Sequence, residues 1–361
     1  MNYLKRGIGF FLSALFVLVL AFVIWVYAST YHPKAVENAR ITCTGAPPLN
    51  DNRSFRVLTL NAQFFAGKNY VFYFDLPNNK GPHLRPSATD LAATIKASAT
   101  MLEEQDADFV LLQEIHDGAA ATDFSDQAEQ LLAELEKDKY PCRSETFYWL
   151  ADFVPHPKIM GAVGMKLVTL SKYKIVNAER LRLPQPPMDW LTSQFYLKRA
   201  ILDTEVQTSN GTISIINTHF DAFAQGSNTM ARQVGALQKL LVEKDNQRLS
   251  WVVGGDLNLL LPQQRATLDH SQQYLYAEET DLKPLLNWSI FPSPKQVSGN
   301  VRKWATHWPN NPAIREPDRS IDFLLNSAQI KPSAQRVLNY GKYLYLSDHY
   351  PVISDYKINR E

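Results

Sequence analysis

The stretch Trp251-Val-Val-Gly-Gly-Asp256-Leu-Asn258 has the form of a buried β-strand that ends in polar side chains. An apolar run of this kind is typical of a strand covered on both faces. The same form recurs along the chain, in the segments Val57-Leu-Thr-Leu-Asn61, Phe109-Val-Leu-Leu-Gln-Glu114, Ile215-Ile-Asn-Thr-His219, Ile321-Asp322-Phe-Leu-Leu and Ser347-Asp348-His349-Tyr-Pro-Val. Because strand ends meet at one edge of a sheet, where ligands bind, these polar side chains are predicted to form one site. The sequence therefore predicts an enzyme.

The residue types in this predicted site favour metal-assisted chemistry. Glu114 and Asp348 offer hard oxygen ligands, which suit Mg²⁺ or Mn²⁺ better than zinc. His219 and His349 can transfer protons near neutral pH. The side-chain amides of Asn61 and Asn258 can donate hydrogen bonds to phosphate oxygens without adding charge. Together these groups indicate hydrolysis of a phosphate ester by a metal-assisted water.

The order and the residue sequences of these motifs resemble those of the endonuclease/exonuclease/phosphatase superfamily. That superfamily includes neutral sphingomyelinases, inositol polyphosphate phosphatases, deoxyribonuclease-type nucleases and abasic-site endonucleases. The resemblance runs from about Phe55 to Tyr356, and it depends on the whole series because each motif alone is weak. It implies a four-layer α/β sandwich, in which two packed mixed β-sheets are flanked by helices, and a metal-dependent phosphoric ester hydrolase.

The resemblance also implies a role for each polar side chain. Glu114 resembles the principal metal ligand, with Asn61 and Asp348 completing or supporting the metal shell. His349 resembles the general base that takes a proton from the attacking water. Asp322 resembles the carboxylate that hydrogen-bonds this imidazole, which is a common arrangement in hydrolases.

Three further side chains are expected around the reacting phosphate. Asp256 would position the nucleophilic water or assist the leaving group. Asn258 and His219 would bind the substrate by holding phosphoryl oxygens, where charge develops in the transition state. His219 would alternatively protonate the leaving oxygen, and the sequence leaves both roles open.

The strand and helix patterns along the chain agree with this fold. Strands are predicted near residues 55–61, 108–113, 163–170, 199–207, 212–218, 250–255, 321–326 and 351–356, and helices near 89–104, 124–138 and 228–244. The turn Ser209-Asn210-Gly211 predicts a β-hairpin, so the strands on either side should be antiparallel and the sheets mixed.

The N-terminus predicts a transmembrane helix. Lys5 and Arg6 precede an uncharged apolar run of nineteen residues, Ile8–Val26. At about 1.5 Å per residue, this run nearly crosses a hydrocarbon core of roughly 30 Å. The positive-inside tendency places the N-terminus in the cytoplasm and the catalytic domain on the periplasmic or extracellular side. A secretory signal cleaved near Ala28 is the alternative, but the run is longer than a usual signal peptide, and we favour an uncleaved anchor.

The expected domain plan has three parts. Residues 1–30 form the membrane anchor, residues 31–54 a tether rich in Pro, Asn and Asp, and residues 55–361 one catalytic domain. Cys43 in the tether and Cys142 in the domain either form a disulfide in an oxidising compartment or remain two unrelated free thiols.

Charge and motif content exclude several alternatives. The whole chain has a formal charge of +1, to which Lys5 and Arg6 contribute two positive charges, so the remainder has a formal charge of −1. A nucleic acid partner is therefore not favoured, and a monomer is expected. The chain has no P-loop, no dinucleotide fingerprint and no His-Glu-x-x-His motif. His116 lies two residues after Glu114, either on the same edge or as a solvated loop imidazole.

The substrate is predicted from weaker signals. The aromatic stretch Phe64–Phe74 either dips into a bilayer interface, receives a lipid or nucleobase, or packs in the core, and Pro184–Leu191 is a second candidate. The wording Asn217-Thr-His-Phe-Asp-Ala resembles the sphingomyelinase branch, while Asp318-Arg-Ser-Ile-Asp322 departs from the phosphoinositide phosphatase signature. The leading hypothesis is a membrane-anchored phosphodiesterase that acts on phospholipid headgroups, like a sphingomyelinase or phospholipase C. An exported nuclease and a catalytically silent binding module are the alternatives.

Overall fold

Two packed β-sheets with helices on their outer surfaces form the body of the protein. A computed structural model describes residues 2–68, 70–222 and 224–359 of the 361-residue chain. In this part of the chain the strands are β1 Val36–Asn38, β2 Arg40–Cys43, β3 Phe55–Asn61, β4 Phe109–His116, β5 Cys142–Val154, β6 Gly161–Ser171, β7 Ile175–Arg182, β8 Ala200–Thr208, β9 Gly211–His219, β10 Ser250–Asp256, β11 Ser289–Phe291, β12 Asp322–Asn326, β13 Ile330–Val337 and β14 Val352–Ile358. The helices are α1 Asn2–Ala28, α2 Ala88–Gln105, α3 Gln127–Glu134, α4 Trp190–Phe195, α5 Thr229–Asn246, α6 His270–Gln273, α7 Pro294–Gly299 and α8 Val301–Trp304.

Both sheets are mixed. The first has the strand order β13-β14-β3-β4-β6-β5-β2, and the second has the order β1-β7-β8-β9-β10-β12-β11. β3 is parallel to β4 and β9 is parallel to β10, whereas the other neighbours are antiparallel. The predicted sandwich of two mixed sheets flanked by helices is therefore confirmed. The predicted hairpin is also confirmed, because β8 and β9 pair antiparallel up to Thr208 and Gly211.

The central strands are buried on both faces, which explains their continuous apolar sequences. Val57 and Leu111 belong to the core between the two sheets, together with Val252 of the opposite sheet. Their neighbour Leu58 points to the outer face, where it shares a cluster with Ile95 of α2. On the other side of the sandwich, α5 covers the second sheet in the same way. Each strand residue therefore contributes to one of two apolar layers.

The two sheets approach each other closely at Gly254 in β10. A Cβ atom at this position would lie 2.6 Å from Leu111 Cδ1, 2.9 Å from Leu324 Cδ2 and 3.1 Å from Thr59 Cβ. A larger residue would therefore push the sheets apart directly behind the ends of β3 and β10. The glycine permits the close approach of backbone and side chains that the site requires.

The polar ends of the strands lie together on one side of the sandwich. β3, β4, β9 and β10 end there, and β12 and β14 begin there, because these two strands are antiparallel to β10 and β3. We call this side the polar edge and define it by Asn61, Glu114, His219, Asp256 and Asp322.

The N-terminal helix continues into the domain without a gap. Among the described residues, Lys5–Ala28 form a helix long and apolar enough to cross a membrane, and a signal sequence would pass the same test. Directly after it, Thr30 forms a bridge with Ala151 of β5, and the Asp152 N–H donates to the Ser29 carbonyl at 2.9 Å.

The stretch predicted as a tether contributes one edge strand to each sheet. β1 pairs with β7, and β2 pairs with β5. The tether prediction did not include these strands, because segments of three and four residues are too short to show a periodic pattern. Cys43 lies opposite Cys142 across β2 and β5, and the two residues form a disulfide. The disulfide, one of the two alternatives, fixes this stretch to the first sheet.

Candidate active site

Asn61 links the two sheets at the centre of the polar edge. It is the last residue of β3, and its Nδ2 donates at 3.1 Å to Glu114 Oε1 on β4 and at 3.1 Å to Asp256 Oδ2 on β10. Its Oδ1 accepts the Gln63 N–H at 3.0 Å, which fixes the orientation of the amide. Two carboxylates from different sheets therefore share one amide group.

Glu114 lies at an irregularity in β4. The pairing with β6 shifts between Leu112 and Ile115, and Glu114 has a φ of +57°. A β-bulge re-aims a side chain, and residues held in this left-handed region occur preferentially at functional sites. The Tyr148 hydroxyl accepts the Glu114 N–H at 3.2 Å. The strained backbone turns the carboxylate towards the centre of the polar edge.

His349 is held by Asp322 from the opposite sheet. Its Nδ1 lies 3.0 and 2.9 Å from the two carboxylate oxygens of Asp322, whose Oδ2 also accepts the Thr306 hydroxyl at 2.7 Å. Because Nδ1 faces a carboxylate, it carries a proton. Nε2 then points to the site, 3.8 Å from Asp256 Oδ2 and 3.9 Å from Asp348 Oδ1. An imidazole oriented in this way can exchange a proton at Nε2.

The centre of the site has an excess of negative charge. Burial disfavours the imidazolium, but Asp322, Asp256 and Asp348 outweigh this effect and raise the pKa of His349 well above its usual value. Burial raises the pKa of Asp256 to about 7, although the charge of His349 opposes the shift. Burial, followed by the charge of Asp348, also raises the pKa of Glu114. These carboxylates would be stabilised in their charged form by a cation.

His219 lies between two of the acidic side chains. Its Nε2 is 3.3 Å from Asp256 Oδ2 and 3.8 Å from Glu114 Oε1, and its Nδ1 is 3.3 Å from the Tyr148 hydroxyl. Burial lowers the pKa of His219 well below its usual value, and the charge of Arg199 adds to the shift. His219 is therefore neutral, with one ring nitrogen able to donate a hydrogen bond.

Arg199 is a buried cation that the sequence analysis missed. It is 3% exposed, and among the described residues its Nε and Nη1 have no hydrogen-bond partner. Its guanidinium carbon lies 5.1 Å from the ring centroid of Tyr148. The charge of Arg199 opposes the rise in the pKa of Glu114 and adds to the effect of burial that lowers the pKa of His219. Arg199 precedes β8, whose start reaches the polar edge only because β8 is antiparallel to β9. No local sequence pattern marks such a residue.

Asn258 follows Asp256 by two residues and has a φ of +49°. Its backbone N–H donates to Asp256 Oδ1 at 2.9 Å, and its Nδ2 donates to the Phe220 carbonyl at 3.2 Å. The side-chain oxygen of Asn258 is an acceptor and the amide carries a second N–H donor, and both are chemically suited to bind a ligand.

A second group of side chains surrounds Asp348. His307 Nε2 lies 3.7 Å from Asp348 Oδ2, which also accepts Asn310 Nδ2 at 3.3 Å. The His307 and His349 ring centroids are 4.4 Å apart, and Lys68 Nζ donates to Asn310 Oδ1 at 3.0 Å. Burial alone would raise the pKa of Asp348, but His349 and His307 outweigh burial and lower this pKa to about 2. His307 and Lys68 escaped the sequence analysis because they come from separate loops without ligand spacing.

The donor set partly fits a divalent cation. Within the described residues, two groups have ligand atoms close enough to share a metal, namely His307, Asp348 and His349, and Asp256, Asp322 and His349. Glu114 belongs to neither group, and Asn61 presents its nitrogen to the gap between Glu114 and Asp256. Turning the Asn61 amide would present its oxygen to this gap, but it would break the hydrogen bond from the Gln63 N–H. The prevalence of carboxylate oxygens suits Mg²⁺ or Mn²⁺.

Several aromatic residues near the site are buried. His116 stacks on Phe64 with ring centroids 4.5 Å apart, so the expectation of a solvated loop imidazole is wrong. Phe64, Phe65 and Phe72 are 7%, 1% and 2% exposed and pack in the core, whereas Phe74 is 40% exposed. Of the alternatives for the aromatic stretch, core packing is therefore correct for these three rings.

A cavity of about 460 Å³ opens beside Trp308. The backbone N–H of Trp308 donates to the Asp348 carbonyl at 2.8 Å, and Lys68 Nζ lies 4.6 Å from the ring centroid of Trp308. Three cationic side chains line the cavity wall, namely Arg302, Lys303 and Arg315, together with the carboxylate of Glu316, which forms an ion pair with Arg302.

The sequence comparison agrees with the fold. The family model described as "Endonuclease/Exonuclease/phosphatase family" matches residues 58–349, and the chain belongs to this family. Members of the family hydrolyse phosphoester bonds. A comparison with curated proteins found no match.

Solved structures share the fold at low sequence identity. An endonuclease/exonuclease/phosphatase from Beutenbergia cavernae DSM 12333 is 21% identical, with a TM-score of 0.54 over 85% of this chain and 72% of that chain. The human Nocturnin catalytic domain with bound sulfate is 16% identical, with a TM-score of 0.51 over 89% of this chain and 97% of that chain. D. rerio TDP2 complexed with single strand DNA product is 14% identical, with a TM-score of 0.50 over 84% of this chain and 99% of that chain. These likenesses show the fold alone.

Proposed function

We propose that the protein is a membrane-anchored, Mg²⁺-dependent phosphodiester hydrolase that acts on phospholipid headgroups. The observation that carries the hydrolase proposal is the contact between His349 Nδ1 and Asp322. It leaves His349 Nε2 facing the carboxylates of Asp256 and Asp348 at less than 4 Å. This is the arrangement of a general base with its orienting carboxylate.

In this proposal, His349 takes a proton from the attacking water at Nε2. Asp322 holds the ring through Nδ1 and stabilises the imidazolium that forms. Asp256, with Oδ2 facing both His349 and His219, orients the water or assists the leaving group. Thr306 keeps Asp322 in place through the hydroxyl hydrogen bond. Each of these residues is fixed by a partner, which limits the reorganisation needed during reaction.

The proposed metal ligands are Glu114, Asn61 and Asp348, with Mg²⁺ preferred and Mn²⁺ as a substitute. A bound divalent cation would supply charge for the phosphoryl oxygens and would lower the pKa of a water ligand. It would also offset the negative charge that raises the pKa of His349 and that adds to the effect of burial on the pKa of Glu114. The buried carboxylates therefore support a cation, while the identity of the ligands is part of the proposal.

The proposed phosphate-binding groups are His219, Asn258 and Arg199. His219 is neutral and buried, which suits a hydrogen bond to a phosphoryl oxygen or, alternatively, proton transfer to the leaving oxygen. Arg199 has two donor atoms without partners among the described residues, and a guanidinium fits phosphate oxygens well. Its position beside His219 suits the charge that develops in the transition state.

A phospholipid substrate is supported by the apolar helix α1 and by the near-neutral charge of the domain. We propose that α1 remains as an anchor, with its N-terminus in the cytoplasm and the domain outside. The Cys43–Cys142 disulfide agrees with an oxidising compartment. An exported nuclease is the second candidate, since the family includes a structure solved with a DNA product.

A substrate panel tests this proposal. The purified full-length chain in detergent, with Mg²⁺, is assayed on bis(p-nitrophenyl) phosphate, on mixed micelles of sphingomyelin, phosphatidylcholine or phosphoinositides, and on single-stranded and plasmid DNA. EDTA should abolish turnover, and Mg²⁺ or Mn²⁺ should restore it. Faster cleavage of DNA than of any lipid would favour the nuclease. Absence of turnover on every ester would leave only the silent binding module.

A further inference from the structure

The membrane helix joins the domain on the side of the site. Thr30 pairs with Ala151 near the end of β5, and the Tyr31 N–H donates to the Leu150 carbonyl at 3.1 Å. From there the chain runs back along β5 to Cys43, which pairs with Cys142 at the start of that strand. α1 therefore leaves the domain beyond the end of β5, and β5 runs in the same direction as β4 because both are antiparallel to β6.

The strand register places this junction above the polar edge. Lys166 of β6 lies opposite Ile115, the residue after Glu114, and Val163 of β6 lies opposite Ala151. Three residues along a strand correspond to about 10 Å. The junction at the end of α1 therefore lies about 10 Å beyond the level of Glu114 along the strands, in the direction that the polar edge faces.

The junction is packed rather than flexible. Val26 is completely buried, and the rings of Trp25 and Phe195 have centroids 6.3 Å apart. Trp149 Nε1 donates to the Phe195 carbonyl at 2.8 Å, which ties α4 to β5. The end of α1, the end of β5 and α4 therefore form one contact region. The direction of α1 then determines which side of the domain faces the bilayer.

Exposed apolar side chains surround this junction. We call them the apolar rim. They belong to the loops that follow β3, β4, β5 and β7, which all run towards the polar edge, and they are Phe74, Leu84, Phe124, Met160, Trp190 and Leu191. Phe124, Met160 and Trp190 are 65%, 60% and 51% exposed.

The loops of the apolar rim contact one another. Tyr73 lies near His156, with ring centroids 5.3 Å apart, which joins the loops after β3 and β5. A Cβ atom on Gly161 would lie 2.9 Å from Ala120 Cβ, which joins the loops after β4 and β5. Apolar side chains grouped on one face mark an interaction surface, and aromatic residues favour the interface of a bilayer.

We propose that the polar edge faces the bilayer that α1 enters, with the apolar rim inserted into the headgroup layer. This inference rests on the proposed function, and it assigns an amphiphilic phosphodiester in the membrane surface as the substrate class. The site then meets its substrate at the height of the headgroups, without lifting the lipid into water.

Brominated lipids test the orientation directly. The full-length chain is placed in nanodiscs of phosphatidylcholine with brominated acyl chains, which quench tryptophan emission at short range. If Trp190 lies in the bilayer, Trp190→Phe should reduce the amount of tryptophan emission that the brominated lipid quenches, relative to the parent. Trp288→Phe is the matched control, because Trp288 lies next to Trp251 at the opposite edge. It should leave the amount of emission that the brominated lipid quenches unchanged. Equal quenching in the parent and in Trp190→Phe would overturn the proposal, as would a mature chain that begins after Ala28.

Activity separates this inference from the proposed hydrolase function. Trp190→Ser with Leu191→Ser should slow headgroup release from nanodiscs of phosphatidylcholine and sphingomyelin by about tenfold. Hydrolysis of bis(p-nitrophenyl) phosphate should be unchanged, and the exposed control Val176→Ser should change neither rate. A parent chain that hydrolyses no ester would refute the hydrolase. Unchanged release from nanodiscs in the double variant would refute the membrane-facing edge alone.

Discussion

Glu114 combines a partly buried carboxylate with a backbone in the left-handed region, and its charge should be essential. Glu114→Gln keeps the hydrogen bond to Asn61 within reach while removing the charge. Mg²⁺-dependent hydrolysis should fall by about a hundredfold or more, because the cation loses its charged ligand. The rate as a function of Mg²⁺ concentration and the thermal unfolding curve measure the two effects. Glu104→Gln, an exposed glutamate on α2 that accepts the Tyr343 hydroxyl, is the control and should keep its activity.

Asp322 should control the pH dependence through His349. The general base must be neutral, and the carboxylates around it raise the pKa of His349, so the rate should fall as the pH is lowered. Asp322→Asn removes one of these charges, which should move the acidic limb of kcat/KM to lower pH and reduce the maximal rate. Asp355→Asn, which removes a carboxylate paired with Arg56, is the control. An unshifted acidic limb in Asp322→Asn would argue against His349 as the base.

His116 should make the protein sensitive to acid. Burial lowers the pKa of His116 to about 3, whereas the usual value is 6.5. As the pH falls below 6.5, the unfolded chain binds a proton that the folded chain does not bind until about pH 3, so stability is lost across this window. At about pH 5 the loss is about 2 kcal/mol.

His116→Phe preserves the stacking on Phe64 and removes the titration. Urea unfolding at two pH values should show a smaller loss of stability in acid for this variant than for the parent. His270→Phe, at an exposed position on α6, should behave like the parent. If His116→Phe and the parent lost stability equally in acid, the buried neutral imidazole would not be the cause.

At the scale of the element, the strands that sequence patterns could predict are those buried on both faces. β3, β4, β9 and β10 have continuous apolar runs, and each was predicted within a few residues. β13 was missed because four of its eight residues are exposed and the segment Lys331-Pro-Ser-Ala-Gln-Arg336 contains no large apolar residue. β5 and β7 were also missed, and their charged residues, such as Arg143 and Glu145 in β5 and Glu179 and Arg180 in β7, interrupt any continuous apolar run. Tertiary pairing supplies what local propensity lacks in these strands.

The disulfide between β2 and β5 should contribute strongly to stability. It closes a loop with a sequence separation of 99 residues. Closure of a loop of this size restricts the unfolded chain, so Cys43→Ser with Cys142→Ser should cost about 3–5 kcal/mol. Urea unfolding of the parent and the double variant measures the difference. Dithiothreitol should destabilise the parent and leave the double variant unchanged.

Gly254 should couple the packing of the sheets to the site. Gly254→Ala places a Cβ against Leu111 and Thr59, so the sheets must separate slightly behind Asn61 and Asp256. We expect a loss of about 1–3 kcal/mol in unfolding free energy together with a lower kcat. Gly235→Ala in α5 has no atom within 4 Å of the new Cβ, and it should be neutral or stabilising with full activity. Chemical denaturation and steady-state kinetics on the two variants distinguish a specific packing effect from a general one.

At the scale of the whole molecule, the sequence motifs could predict which polar side chains gather at one edge but not all of their neighbours. Asn61, Glu114, His219 and Asp256 are marked because each ends an apolar strand. Arg199 and His307 carry no such mark, since an antiparallel strand start and an irregular loop bring them to the site. The proposed orientation of the polar edge towards the bilayer could likewise not be inferred from the sequence, because it depends on the register between β5, β6 and β4.

The proposed machinery is divided between the two sheets, and this division determines when the molecule can become active. Asn61, Glu114 and His349 are attached to the first sheet, whereas His219, Asp256 and Asp322 are attached to the second. A folding intermediate with only one formed sheet would hold half of the reacting groups and would be inert. Hydrolytic competence would then appear in a single step, when the two halves dock, so a nascent chain would reach no substrate bond before its fold is complete.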